Sequence, residues 1–133
     1  MATSISTAAA SAMAAALNTY FGSSADIVIY DGTPPANANA ALSSNNVLVS
    51  FDLASTPFTN SNGVLTLDVD PALTEAATAS GTATFFRILV GGTTSALQGT
   101  VGTSGAQLNL NTTAITSSVN VTITSGTVTV PTA

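Results

Sequence analysis

The sequence predicts a mainly β fold, an antiparallel β-sandwich or small jelly-roll-like barrel, preceded by one N-terminal α-helix. An alanine-dominated stretch near the N-terminus repeats its apolar residues at spacings of three and four, which is typical of a helix. After Gly22 the apolar residues alternate in about eight short runs bounded by Gly, Pro, Asn and Ser, which is typical of strands and turns. We therefore divide the chain into a helix over residues 1–22, packed on the domain or on a neighbouring subunit, and a β-sandwich domain over residues 23–133.

The N-terminal helix is predicted from about Ile5 to Tyr20, because Ala has the highest helix propensity. Ser4 or Ser6 can cap its first turn, and Gly22 can end it in a left-handed C-terminal cap. We expect its apolar stripe to bury against its own domain, with another subunit as the alternative. The predicted stripe consists of Ile5, Ala9, Met13, Ala16, Leu17 and Tyr20.

The first half of the β domain is predicted to hold three strands. Residues 26–30 form a β-branched run, and residues 47–53 alternate with Val47, Val49, Phe51 and Leu53 on the buried side. A third strand over residues 64–69 follows a turn at Asn62-Gly63. We expect loops at residues 36–46 and 57–63, where Asn, Ser, Ala and Pro predominate.

The second half contains the most apolar strand, over residues 82–90. Both of its faces are apolar, which predicts a central position between two layers. Residues 97–101 and 106–110 flank a Gly-rich segment, and we expect them to form a hairpin.

A second hairpin is predicted at the C-terminus. Apolar residues alternate on both sides of Ser125-Gly126, and a two-residue turn there would pair Ile123 with Val128 on one face.

Charged side chains are scarce: about 25% of the residues in an ordinary domain are charged, against 5% here. The chain has no Lys, His, Cys or Trp, so serine triads, thiol nucleophiles, Schiff bases and Cys or His metal sites lack their parts. A single Arg cannot neutralise a run of phosphates, which argues against nucleic acid and anionic membranes. We expect no enzyme, no catalytic residue and no cofactor. The charged residues are Asp26, Asp31, Asp52, Asp68, Asp70, Glu75 and Arg87.

The closest acidic cluster is Asp68 and Asp70, followed by Glu75. Two acids at i and i+2 on a strand point the same way and could serve Ca²⁺ or a glycosidase-like pair. Calcium needs about six to eight oxygen ligands, and this spacing supplies few of them. We therefore treat the cluster as a weak metal candidate, and as solvent-facing side chains opposite Leu67 and Val69 in the simpler interpretation.

Arg87 is the only cation, and in a strand it shares a face with Phe85 and Leu89. A charge at such a position has to be paired. We expect a structural ion pair between Arg87 and one of the six acids, or pairing with a carbonyl or an acid of a neighbouring subunit.

Four segments in order resemble one protein family: residues 27–32 (IVIYDG), 35–38 (PANA), 81–87 (GTATFFR) and 99–111 (GTVGTSGAQLNLN). Together with the helix of small residues, they are similar to a family of small virion structural proteins of tailed bacteriophages. The most specific segment is 99–111. The resemblance implies a component of the particle with no enzymatic activity.

Within that family, physical grounds favour a capsid decoration (cement) protein, because the domain is small, poor in charge and β-rich. We expect it on the capsid surface of the virion, bound to the major capsid protein or other virion proteins, as a homo-oligomer (trimer or dimer), without nucleic acid or membrane. A tail, neck or fibre-associated protein is the alternative. A glycan-binding adhesion module, using Tyr30, Phe58 or Asp52, is a third hypothesis from a different class.

Overall fold

One helix and eleven strands form in residues 3–55, 57–70 and 72–130, which the computed structural model describes. The mainly β fold class with one N-terminal helix is confirmed. In chain order the elements are α1 (Thr7–Phe21), β1 (Ala25–Tyr30), β2 (Val47–Asp52), β3 (Phe58–Ser61), β4 (Val64–Leu67), β5 (Leu73–Ala76), β6 (Gly81–Thr82), β7 (Phe85–Val90), β8 (Thr94–Gly102), β9 (Leu108–Leu110), β10 (Ala114–Ile115) and β11 (Asn120–Thr129).

Nine strands form one curled, mostly antiparallel sheet, which is half-barrel or sandwich-like. Its order is β2-β1-β7-β8-β9-β11-β4-β3, and β5 pairs separately with β11. The two remaining strands, β6 and β10, pair with each other. Because β7 lies between β1 and β8, the apolar run of residues 82–90 does supply a central strand.

The main core lies on one face of the sheet. Along β1, Ile27 and Ile29 join this core, whereas Val28 and Tyr30 point to the opposite face and pack in a smaller cluster with Phe85. We call this opposite face of β1, β7 and β8 the outer face. The larger members of the main core are Phe21, Ile27, Phe51, Leu65, Phe86, Ile88, Leu108 and Ile123.

Helix α1 begins one residue after Ser6, whose Oγ accepts a hydrogen bond from the Ala9 amide (3.1 Å), as an N-cap does. Its C-terminal residue is Phe21. Gly22 follows with φ +57°, but its ψ of −135° lies outside the left-handed helical region that we predicted.

The predicted apolar stripe of α1 is wrong except at Leu17, which packs against the main core. The buried residues are Ala10, Ala14 and Phe21, while Met13 and Tyr20 are 53% and 55% exposed. The reason is a close approach to the β3–β4 turn: a Cβ at Gly63 would lie 2.7 Å from the Ala10 Cβ. Small side chains therefore let the middle of the helix dock closely, while Phe21 fills the core at its C-terminal end.

Two segments of the first half differ from prediction. Phe58–Ser61 is strand β3 rather than loop, and Asn62 and Gly63, both with positive φ, form its two-residue turn to β4. In β2 the predicted alternation holds from Val49 to Leu53 but not at Val47, because the pairing register with β1 shifts between Ile29 and Tyr30. As a result Leu48 is buried and Val47 is exposed.

The predicted hairpin around residues 102–105 is also wrong, because β8 and β9 run parallel, with Val101 opposite Leu108. Side chains stabilise the tight connection. The Asn109 amide accepts from the Ala106 N–H (3.1 Å) and donates to the Ala106 carbonyl (3.1 Å), while Gln107 Oε1 accepts from the Thr100 N–H (2.9 Å). These bonds replace the ladder bonds that an antiparallel hairpin would have made.

The predicted C-terminal hairpin is replaced by one continuous strand, β11. Ile123 pairs with Leu110 and Val128 with Leu65, so the two residues do not face each other. Gly126 is buried, and a Cβ there would lie 3.0 Å from Leu108 Cδ1. The glycine therefore permits close packing rather than a turn.

Candidate interaction site

Arg87 is buried on the outer face, with 5% of its surface exposed. In the sheet it lies between Val28 of β1 and Gln98 of β8. Its Nε donates to Gln98 Oε1 (3.0 Å), and its Nη2 donates to the carbonyls of Asn37 (3.3 Å) and Ala40 (2.6 Å). These partners are neutral acceptors of the same chain, so they take the place of the carboxylate that we expected.

Through these bonds Arg87 holds the connection between β1 and β2 against the outer face. Gln98 assists, because its Nε2 donates to the carbonyl of Pro35 (2.8 Å) while its oxygen accepts from Arg87. Two neighbouring side chains of the sheet thus bind three carbonyls of one segment. We call residues 32–46 the clamped loop.

The base of the clamped loop is closed by Asp31 and Asn46. The Asp31 N–H donates to the Asn46 carbonyl (3.2 Å), and the Asp31 carboxylate accepts from the Asn46 N–H (2.6 Å) and side-chain amide (3.2 Å). These hydrogen bonds hold the pKa of Asp31 below its usual value. Asn45 Nδ2 adds bonds to the carbonyls of Asp31 (2.8 Å) and Thr33 (3.0 Å). The two ends of the loop are therefore joined as in an Ω-loop.

Within the loop, Asn37 shapes the segment that Arg87 binds. Its Oδ1 accepts from the N–H groups of Asn39 (2.9 Å) and Ala40 (3.0 Å), an Asx turn that aims the Asn37 and Ala40 carbonyls together. The clamped loop contains no charged side chain. Its exposed surface consists of Pro, Ala, Ser and Asn side chains and Leu42, which is 37% exposed.

The aromatic pair next to Arg87 completes the outer face. The rings of Tyr30 and Phe85 stack with centroids 5.0 Å apart, and Leu89 packs against them. Burial raises the pKa of the Tyr30 hydroxyl, and the nearby charge of Arg87 partly opposes that effect. Tyr30 therefore stays a neutral phenol beside the guanidinium at physiological pH.

The predicted acidic cluster does not assemble into a metal site. Asp68 and Asp70 follow the end of β4 and line an open cavity of about 150 Å³, and the Asp70 N–H donates to Asp68 Oδ1 (3.1 Å). Glu75 is on β5 opposite Val121. Within residues 3–55, 57–70 and 72–130, no three His, Cys, Asp or Glu side chains come close enough to hold a metal ion. Pro71, which lies between Asp70 and Glu75 in the sequence, is outside the described residues.

A different acidic pair was missed by sequence reasoning. Asp26 of β1 and Asp52 of β2 face each other directly across the antiparallel ladder. Burial, followed by the hydrogen bond and charge of Asp52, raises the pKa of Asp26. The sequence carries no local signal for the pair, since only the strand register brings the two residues together.

The residues that a glycan-binding module would use are not available on one surface. Tyr30 and Phe58 are 3% and 7% exposed, and only Asp52 of the three is exposed. Sugar rings stack on accessible aromatic faces, so Tyr30 and Phe58 cannot serve in that way in this conformation.

Comparison with protein-family models, with curated proteins and with solved structures finds no match. In the described part of the chain, no helix is both long and apolar enough to cross a membrane.

Proposed function

We propose that this chain is a structural component of a tailed-phage virion, a capsid decoration protein that binds the major capsid protein and stabilises the shell. The proposal places it on the capsid surface as a homo-oligomer, a trimer or dimer, with no enzymatic activity. Its partners are protein surfaces rather than nucleic acid or membrane.

The proposal rests on the distribution of the charged side chains between the interior and the surface. Arg87 is the only basic side chain of the sequence, and it is buried and bound to neutral acceptors, so no basic side chain lies on the exposed surface. Most of that surface is Thr, Ser, Asn, Ala and Gly. Such a surface can be covered by a neighbouring protein without the large desolvation cost of burying charges.

Helix α1 supports the oligomeric part of the proposal. One side of the helix packs on its own domain. The solvent-exposed side presents Met13 and Tyr20 among alanines, and the helix has no charged residue. Exposed apolar side chains on a charge-free element are typical of a subunit that packs against others.

The mechanism would be additive. A stable protein interface buries about 800 Å² on each partner. A decoration subunit that spans the boundary between two shell subunits would add buried area at that boundary. Because many such contacts act together, the shell would withstand a larger force. For this role the protein needs only a rigid shape and a hydrated surface that carries few charges.

The test is to purify particles of the phage that encodes the chain and examine them by mass spectrometry and cryo-electron microscopy. We expect the chain on the outer capsid surface, in copy numbers on the order of hundreds, as shell symmetry dictates. Absence from the particle would overturn the proposal. A few copies located at the tail or neck would replace decoration with the tail alternative.

A second test uses the purified chain. Light scattering after size exclusion should give a trimer or dimer, and the chain should co-sediment with shells assembled without it. A monomer that does not bind shells would contradict the proposal.

A further inference from the structure

The clamped loop is unusual for its length and order. It connects Tyr30 to Val47 with no helix or strand of its own. Loops of more than about 12–15 residues in compact domains are generally either disordered or functional. This loop is held at its base by Asp31 and Asn45 and across its middle by Arg87, so it is ordered. Its length therefore indicates a function.

The burial of Arg87 beneath the clamped loop also indicates that the loop has a function. Burying a guanidinium costs several kcal/mol, and apolar residues of similar size at such positions are often neutral or stabilising. A chain with one cation places it under this loop and directs its donors at the carbonyls of Asn37 and Ala40. The stability of the fold does not require Arg87 at this position, whereas a fixed loop shape does require its hydrogen bonds. A preorganised loop loses less conformational entropy on binding.

We propose that the clamped loop is the docking surface for the shell protein and that Arg87 is its positioning residue. This inference rests on the proposed function, and it adds which surface makes the contact. The loop would bind a protein surface of low charge through its exposed side chains, which include Pro34, Ala36, Asn39, Ala41 and Leu42. A protein partner is favoured over a glycan because the loop contains no aromatic side chain for sugar stacking.

The first experiment places a charge on the loop. Leu42→Asp adds a carboxylate to an exposed position of the loop, and the matched control, Thr66→Asp, adds one to an exposed position of β4. Each variant is titrated against shells assembled without the chain. We expect Leu42→Asp to weaken binding by about tenfold or more, and Thr66→Asp to change it by less than about twofold.

The second experiment removes the clamp. Arg87→Met keeps much of the side-chain volume but donates no hydrogen bonds, so we expect faster hydrogen exchange at the Asn39 and Ala40 amides and shell binding weakened by about threefold to tenfold. Exchange in the β7 amides should stay protected. Arg87→Lys retains one donor for the Ala40 carbonyl and should restore part of the binding.

The outcomes separate the two proposals. If wild-type protein does not bind shells, the proposed function fails. If it binds and Leu42→Asp binds equally well, the docking inference fails while the function stands. Loss of self-association in Leu42→Asp with unchanged shell binding would assign the loop to a second copy instead, and binding to a glycan array through the loop would also overturn the inference. Because Leu42 is exposed, its result decides the matter even if Arg87→Met does not fold.

Discussion

Replacing Asn18 with Ala tests how helix α1 is attached to the edge of the sheet. Strand β3 is the last strand of the sheet order, and Asn18 pairs with its backbone as a neighbouring strand would: its Nδ2 donates to the Phe58 carbonyl (2.8 Å) and its Oδ1 accepts from the Phe58 N–H (3.2 Å). An edge strand with free backbone groups is a liability, and this amide covers two of them.

The magnitude follows from those two hydrogen bonds. Each contributes about 1 kcal/mol net, and both backbone groups of Phe58 lose their partner in the variant. Alanine regains about 0.6 kcal/mol through its higher helix propensity. The free energy of unfolding should therefore fall by about 1.5 kcal/mol, which corresponds to a melting temperature lower by about 5 °C.

Urea denaturation followed by circular dichroism measures this change. The matched control is Thr19→Ala, the next residue along, which is exposed and bonds only to the Ala15 carbonyl of its own helix. We expect the control to stay within about 0.5 kcal/mol of the wild type. Asn18→Asp keeps the oxygen acceptor but sets a carboxylate against the Phe58 carbonyl, and it should cost at least as much as Asn18→Ala. The reasoning is refuted if Asn18→Ala and Thr19→Ala are equally stable.

Three further predictions concern single sites. Gly126→Ala puts a Cβ 3.0 Å from Leu108 Cδ1 and should lower the free energy of unfolding by about 1–3 kcal/mol in the same urea assay. Asp26→Asn removes one of two like charges that face each other and should stabilise the protein at pH 7 by about 0.2–1 kcal/mol. The pKa of Asp26 is raised in the fold, so the stability from its protonated form is present below the unfolded value of 3.8 and is lost as the pH rises through the folded pKa. The benefit of Asp26→Asn should therefore be smaller at pH 3 than at pH 7. Ser6→Ala removes the N-cap bond and should cost about 1 kcal/mol, measured by thermal melting.

Each of these predictions has a result that contradicts it. Wild-type stability in Gly126→Ala would mean that the Leu108 side chain shifts without cost, and Thr127→Ala, at an exposed neighbouring position, serves as its control. An equal or larger benefit of Asp26→Asn at pH 3 would show that ionisation of Asp26, which burial and the neighbouring Asp52 both disfavour, is not the cause. For the helix, Ser6→Thr should keep the cap, so equal losses in Ser6→Ala and Ser6→Thr would argue against a capping role.

The helix and most strands could be predicted from local residue patterns. Alanine propensity and Ser6 placed the helix to within two residues, and the β-branched run at residues 26–30 became β1. The apolar run at residues 82–90 indicated a central strand, which β7 is. These predictions succeeded because helix propensity, capping and strand periodicity act over a few neighbouring residues.

The candidate site could be predicted only in part from the sequence. Arg87 stood out because a lone cation in an apolar strand must find partners, and it does bind several. Its partners could not be predicted, since Asn37, Ala40 and Gln98 reach it only through loop conformation and strand register. The pairing of Asp26 with Asp52 was missed for the same reason.

Composition and short-range periodicity are enough to predict the fold class, the positions of the helix and most strands, and a surface poor in charge. How the elements pair with one another follows from contacts that local patterns do not contain. Ser125-Gly126 could have been a turn, yet Gly126 lies within β11, where a Cβ would be 3.0 Å from Leu108 Cδ1. Likewise α1 buries Ala10 because Gly63 allows it to approach closely. Such choices depend on contacts between residues far apart in the chain, and those contacts, rather than local preference, carry the packing energy.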